Sequence, residues 1–210
     1  MARDDERIAR SQEEPIVGGL PEMPGILAAM QLTPGLGLHL RGLADEVLVN
    51  DFPGATIRRH EREMLATAVS AANDCFFCMD SHAAFAGALM EREDATLLEP
   101  VLDVIKTGSS EGVSDKMAAL LHIARTVQRA PLKLTRADVA AAHDAGASEG
   151  DVQLAVLIAS AFSMYNRLVD GFRARTAPVT EAYRERAGQI ADNGYSGAPM
   201  PTGSGAPAAG

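Results

Sequence analysis

Residues 61–82 read EREMLATAVSAANDCFFCMDSH, and this stretch decides the fold. Its first half carries Met64, Leu65, Ala68, Val69 and Ala72 on one face, the period of an amphipathic helix. Asn73 and Asp74 interrupt that helix and can cap a new one beginning at Cys75. In the second helix Cys75 and Cys78 stand at i, i+3, and Cys78 and His82 at i, i+4. All three side chains therefore share one face, about 5–6 Å apart. One helical turn matches the roughly 4.4–6.8 Å Cα separation that a disulfide needs. A vicinal dithiol can pass between two thiols and one disulfide without a cofactor, and an adjacent imidazole can move the protons. The bland alternative is a pair of buried cysteines acting as small hydrophobes. The chain has no other cysteine, and the placing of both at this spacing speaks against it.

Working outward, the pattern is helical almost throughout. Leu38 to Val49 forms a short amphipathic candidate closed by Asn50, Asp51 and Pro53, and the helix holding Glu63 runs from Arg58 to Ala72. The cysteine helix continues to about Met90. Glu93 to Lys106 is a further candidate, kinked or split by Pro100. Ser114 precedes a helix in which Met117, Leu120, Leu121, Ala124 and Val127 recur at i, i+3, i+4. Thr135 with Asp138, and Ser148 with Asp151, have capping-box spacing, with Gly146 as a stop between them. The segment from Glu149 to Asp170 is apolar nearly all round and is expected to be the central buried helix. Strand alternation is absent, so the fold class is all-α.

The expected organisation is a flexible segment over 1–19, one all-helical domain over 20–192, and a disordered Gly/Pro/Ala-rich tail over 193–210. The tail reads NGYSGAPMPTGSGAPAAG. Four prolines within 15–35 suggest an extended arm laid on the surface. A chain of 210 residues is long enough to bury a real core as a single domain. Its 28 acidic and 19 basic residues, a net charge of −9, argue against a nucleic-acid surface and against anionic membranes. The opening MARDDERIARSQEE has no apolar core of a secretory signal. The apolar stretch Val152 to Tyr165 looks too short and mixed to span a bilayer. A cytoplasmic location is expected, where a Cys-x-x-Cys pair is redox-active or metal-binding rather than a permanent staple.

A dithiol peroxide reductase needs a thiolate to attack, a proton for the departing alkoxide, and a second sulfur to close the disulfide. Near a helix N-terminus the free N–H groups favour thiolate over thiol. Glu63 lies twelve residues before Cys75, about 18 Å along an unbroken helix, and reaches His82 only if the chain reverses at Asn73–Asp74. Without that turn Glu63 is a solvated carboxylate.

The same stretch resembles the core motif of the alkylhydroperoxidase D family, itself related to carboxymuconolactone decarboxylases. The family pattern is a Glu and, twelve residues on, Cys-x-x-Cys-x-x-x-His, met here by Glu63, Cys75, Cys78 and His82. The later stretch SEGDVQLAVLIASAFSMYNRLVDGF resembles the peroxidase-related branch, whose Asn-Arg-x-x-Asp segment is met by Asn166, Arg167 and Asp170. The resemblance covers about residues 20–175. It implies an alkylhydroperoxidase D-like helical bundle assembled into trimers or hexamers. It implies Cys78 as the peroxide-attacking sulfur, Cys75 as the resolving one, and His82 with Glu63 as the proton relay. An organic hydroperoxide as substrate and a dithiol electron donor follow from it; no metal, flavin or haem does. Some members carry a second histidine where this chain has Phe77.

Three other readings stand beside this one. A redox-sensing or disulfide-exchange protein would use the same pair without turning over peroxide. Two thiolates and an imidazole are good zinc ligands, although a structural zinc site wants four. Decarboxylase relatives generally do not use a cysteine pair. Asn166, Arg167 and Asp170 are expected to be structural. His122 is expected in the core or at its boundary, and His60 at the surface.

Overall fold

The computed structural model describes residues 14–92, 100–175 and 181–200. Among these residues the protein is all-helical. Nine α-helices follow in order: α1 (Ile26–Leu32), α2 (Pro34–Leu48), α3 (Arg59–Ala72), α4 (Phe76–Arg92), α5 (Pro100–Lys106), α6 (Asp115–Arg129), α7 (Arg136–Asp144), α8 (Glu149–Phe172) and α9 (Glu181–Gly197). A 3₁₀ turn, Pro131–Lys133, links α6 to α7. The expected helix content of 93–99, like the N-terminal segment 1–13 and the tail from 201, falls outside the described residues.

The centre of the bundle is α3. Eleven of its fourteen residues are buried, from His60 through Ala71 with Glu61 at the edge. Small side chains (Ala66, Thr67, Ala68, Ser70, Ala71) let α4, α6 and α8 approach it closely. The expectation that α8 would be central is corrected: half of its twenty-four residues are buried, and Leu157 (43% exposed) and Met164 (39% exposed) face outward. The expectation that this stretch is too short to span a bilayer is corrected too. By length and composition α8 suffices, but 56% of its most apolar window is packed inside the bundle. His60, expected at the surface, is fully buried, with its Nε2 3.5 Å from Arg58. His122 is exposed and pairs with Asp138 at 3.0 Å.

Proline in the expected arm bounds a helix instead of preventing one. Pro24 and Gly25 precede α1, which buries Ala28, Ala29 and Met30. Thr33 then caps α2, accepting from the Leu36 N–H at 3.2 Å, and Pro34 takes the first helical position. Gly37 lies against the Met30 carbonyl, with no room for a Cβ, which sets the angle between α1 and α2.

The Ser148–Asp151 box does more than start α8. Asp151 is fully buried. Its carboxylate accepts from the Ser148 N–H (3.0 Å), the Thr56 N–H (2.6 Å), the Thr56 hydroxyl (2.7 Å) and the Ile57 N–H (2.9 Å). One side chain thus caps α8 and draws the loop before α3 onto it; Gly150 lets the backbone at Pro53–Ala55 come into contact. Burial pushes this carboxyl upward, but the four donors outweigh it and hold it down at about 2. Its folded pKa thus lies below the unfolded one of about 3.9. The stabilisation is full above about pH 4 and is lost as pH falls toward 2. Asp151→Asn is expected to cost about 2–3 kcal/mol at neutral pH. Urea unfolding at pH 6 and pH 3 should show the gap between variant and wild type narrowing at the lower pH.

Candidate functional site

The site depends on how α3 ends. Asp74 takes the left-handed conformation (φ 56°), which a short polar side chain tolerates. The Cys75 N–H donates to the Ser70 carbonyl (3.0 Å) and the Asp74 N–H to the Ala71 carbonyl (3.2 Å), the paired bonds of a Schellman turn. Asp74 therefore closes α3 and does not cap α4. That place belongs to Cys75, whose carbonyl accepts the Met79 N–H at 2.9 Å. Asn166 on α8 locks the reversal, accepting from Asn73 (2.8 Å) and donating to Ser70 (3.1 Å), while Gln128 on α6 donates to Asn73 (2.7 Å). Asn166 is thus structural, and it holds the turn beneath the cysteines. Arg167 bonds back to the Ser163 carbonyl on its own helix.

Because the chain turns back there, α4 runs beside α3 and His82 meets Glu63. The His82 Nδ1–H donates to Glu63 Oε2 at 2.7 Å, and Glu63 is 1% exposed, so it is not a solvated carboxylate. A third member comes from α9: the Tyr195 hydroxyl donates to Glu63 Oε1 (2.7 Å) and lies 3.3 Å from His82 Nδ1. Burial, then the neighbouring Glu63 charge, raises the Tyr195 phenol well above its ordinary range, so it stays a donor. With Nδ1 committed to the carboxylate, the lone pair of a neutral His82 sits on Nε2. Phe85 and Phe162 meet the imidazole edge-on at 5.2 and 4.5 Å.

The two sulfurs differ in surroundings. Cys78 lines a cavity of about 460 Å³ together with His82, Phe77, Phe85, Phe162 and Tyr195; Cys75 lies behind it, fully buried. A hydrogen bond to Cys78, and then burial, push the Cys75 thiol far up from its usual range. Phe77 packs against Tyr183 at 5.8 Å, beneath Gly25, where any Cβ would run into its ring. Among the described residues no group of three or more His, Cys, Asp or Glu is arranged to hold a metal ion.

Tyr195 falls where a disordered tail was expected from residue 193. That boundary is corrected: α9 runs to Gly197, with a kink at Gly194 (φ 70°, ψ −175°). Two ionic side chains build the kink. Asp45 on α2 accepts from the Tyr195 N–H (2.6 Å) and the Ser196 N–H (2.9 Å), capping the turn that follows. Arg59 on α3 donates to the Ala191 and Ile190 carbonyls (2.9 and 3.1 Å) that the kink leaves open. Negative charge at a helix start and positive charge at a helix end both suit the backbone dipole. One cue was present in the sequence. The chain has three tyrosines, and Tyr195, alone in a Gly/Pro/Ala tract, joins Tyr165 and Tyr183 in lining the cavity.

Residues 43–126 match the model of the carboxymuconolactone decarboxylase family, a segment that contains Glu63, Cys75, Cys78 and His82 but neither α8 nor α9. Two solved structures share the fold. An uncharacterised peroxidase-related protein from Silicibacter sp. TM1040 aligns with TM-score 0.64 and 18% identity over 77% of this chain and 78% of that one. A second, from Ralstonia eutropha JMP134, is described as an alkylhydroperoxidase AhpD core and uncharacterised peroxidase-related protein. It aligns with TM-score 0.62 and 22% identity over 88% of this chain and 90% of that one. The chain is thus similar in sequence to the carboxymuconolactone decarboxylase family over residues 43–126, and shares its fold with these two structures. A comparison with curated proteins finds no match.

Gly194 tests how Tyr195 is seated. Its backbone conformation is nearly confined to glycine, and an added Cβ would lie 2.9 Å from Asp45 Oδ1. Gly194→Ala is expected to cost about 1–3 kcal/mol. Amide exchange should speed up at Tyr195 and Ser196 while the amides of α3 keep their protection.

Proposed function

We propose that the protein is a thiol-dependent reductase of organic hydroperoxides, with Cys78 as nucleophile, Cys75 as resolving thiol and a His82–Glu63–Tyr195 proton relay. The observation that carries it is the asymmetry of the sulfurs. Cys78 shares a cavity wall with His82, while Cys75 waits behind it as a protonated thiol. His82 Nε2 takes the Cys78 proton, and the sulfur attacks the terminal oxygen of ROOH. The O–O bond breaks, an S–O bond forms, and the imidazolium returns the proton to the alkoxide, giving ROH and a sulfenic acid. Cys75 then attacks that sulfur, its proton leaves with the hydroxide as water, and a disulfide remains. An external dithiol restores both thiols by exchange. Glu63 balances the imidazolium charge, and Tyr195 holds the carboxylate oxygen that His82 does not use.

Turnover of cumene hydroperoxide with a dithiol reductant tests this reading. Cys78→Ser should abolish the reaction, and Cys75→Ser should leave a trappable sulfenic acid on Cys78 after one equivalent of peroxide. Glu63→Gln should lower turnover about 10²–10⁴-fold with helical content unchanged. Oxidation that stops after one equivalent in the presence of excess dithiol would favour a redox sensor. A sulfenate on Cys75, with Cys78 inert, would reverse the order.

We further propose action in the reducing cytoplasm, as a homotrimer or homohexamer. Leu32, Leu36, Leu38 and Leu43 on α1 and α2 are each about two-fifths or more exposed, and Leu157 and Met164 on α8 add to the uncovered apolar surface. Obligate interfaces bury about 2,000 Å² or more. Light scattering after size exclusion should give a multiple of 22.1 kDa at low micromolar concentration; a monodisperse monomer would sink the assembly.

A further inference from the structure

Besides aromatic side chains, the cavity lining holds two arginines, Arg41 on α2 and Arg186 on α9. Each ties the C-terminal segment through a carbonyl: Arg41 donates to Ser196 (3.4 Å) and Arg186 to Pro199, with Gln189 as a second acceptor of Arg186 at 3.2 Å. Neither guanidinium has a carboxylate partner among the described residues, although Arg92, Arg175, Lys106 and Lys116 do. Asp45, one helical turn from Arg41, is spent on the N–H groups of Tyr195 and Ser196. Glu185, also on the cavity lining, is exposed and forms no ion pair with either arginine. The Arg41 Nε is buried without any hydrogen-bond partner. Burial lowers Arg186 from its ordinary range, Tyr195 offsets part of that, and the Arg41 charge lowers it again.

Two like charges, part-desolvated and without a carboxylate partner among the described residues, are unfavourable in a chain of net charge −9 that has acidic side chains to spare. An anion drawn between them would relieve the repulsion, and a guanidinium fork suits a carboxylate's geometry. Leu27, Met30, Phe85 and Phe162 give the lining a large apolar share, which suits an apolar body. A volume near 460 Å³ fits a small organic molecule.

We propose that Arg41 and Arg186 form a carboxylate-binding subsite, so that this cavity takes apolar organic acids, with the carboxylate on the two guanidiniums and the body against the aromatic wall. This deepens the peroxidase reading and rests on it for which end reacts: the substrate class becomes hydroperoxides of apolar carboxylic acids, with the O–O bond toward Cys78 and His82.

Binding to the reduced, full-length protein tests the subsite without any turnover. Octanoate and octanamide share an apolar body and differ in charge. Calorimetry should find octanoate tighter by about tenfold or more, the value of one charge-assisted hydrogen bond. The preference should largely vanish in Arg41→Gln/Arg186→Gln and largely survive in the paired lysine variant. It is read as a ratio within each variant, so any loosening of the C-terminal segment cancels. Equal affinity for the two probes in the unaltered protein, or a ratio unmoved by the glutamines, overturns the subsite. The peroxidase reading is judged separately with neutral cumene hydroperoxide. Turnover of that substrate without an acid preference sinks the subsite alone. Acid-selective binding without turnover supports the subsite and sinks the peroxidase reading.

Discussion

A carboxylate removed from water must have its lone pairs met, or the cost runs to several kcal/mol. Glu63, at 1% exposure in the middle of α3, sets that demand, and much of the architecture answers it. One oxygen needs a donor from the neighbouring helix, so α4 must double back beside α3. The other needs a donor from a third direction, which α9 supplies through Tyr195. The Schellman turn at Asp74, the Asn166–Asn73–Ser70 lock and the kink at Gly194 are the local devices that bring those donors to the carboxylate. The turn and the kink are backbone irregularities, each held by polar side chains from other helices.

The same arrangement divides labour between the sulfurs. The reversal leaves Cys75 capping α4 and packed with Val169 and Met23, while Cys78, one turn on in the same cluster, also reaches the cavity wall. Identical side chains, both buried, thus acquire different access to the cavity from position alone. Phe77 closes the near side of the cavity by packing, and the extra hydrogen-bonding partner for the Glu63–His82 pair arrives from the far end of the chain.

Legibility in the sequence followed the range of the interactions. Local signals carried through well: α3 begins one residue from its expected start, and the boxes at Thr135 and Ser148 form with Asp138 and Asp151 as partners. The nearness of Glu63 to His82 came from the family resemblance, because an aspartate in the left-handed conformation leaves no mark as plain as a glycine would. Proline and glycine hid α1 and the end of α9. In the sequence they look like breakers, whereas here they delimit a short helix and a kink that Asp45 and Arg59, distant in sequence, stabilise. The apolar character of α8 misled because surface that faces outward in one chain still reads as core.

The clamp on Gly194 bears on the order in which the protein is made. Glu63 and His82 are nineteen residues apart and can pair as soon as α3 and α4 fold against each other. Tyr195 is 132 residues beyond Glu63, and Asp45 is 150 before Tyr195. Contacts of such separation form late, and domains take shape N-terminus first as they leave the ribosome. A nascent chain therefore holds its two sulfurs and its histidine in register well before the phenol exists to meet the second carboxylate oxygen. Completion of the site coincides with completion of the fold, and a chain stalled short of α9 carries every residue of the family motif around a half-satisfied buried charge.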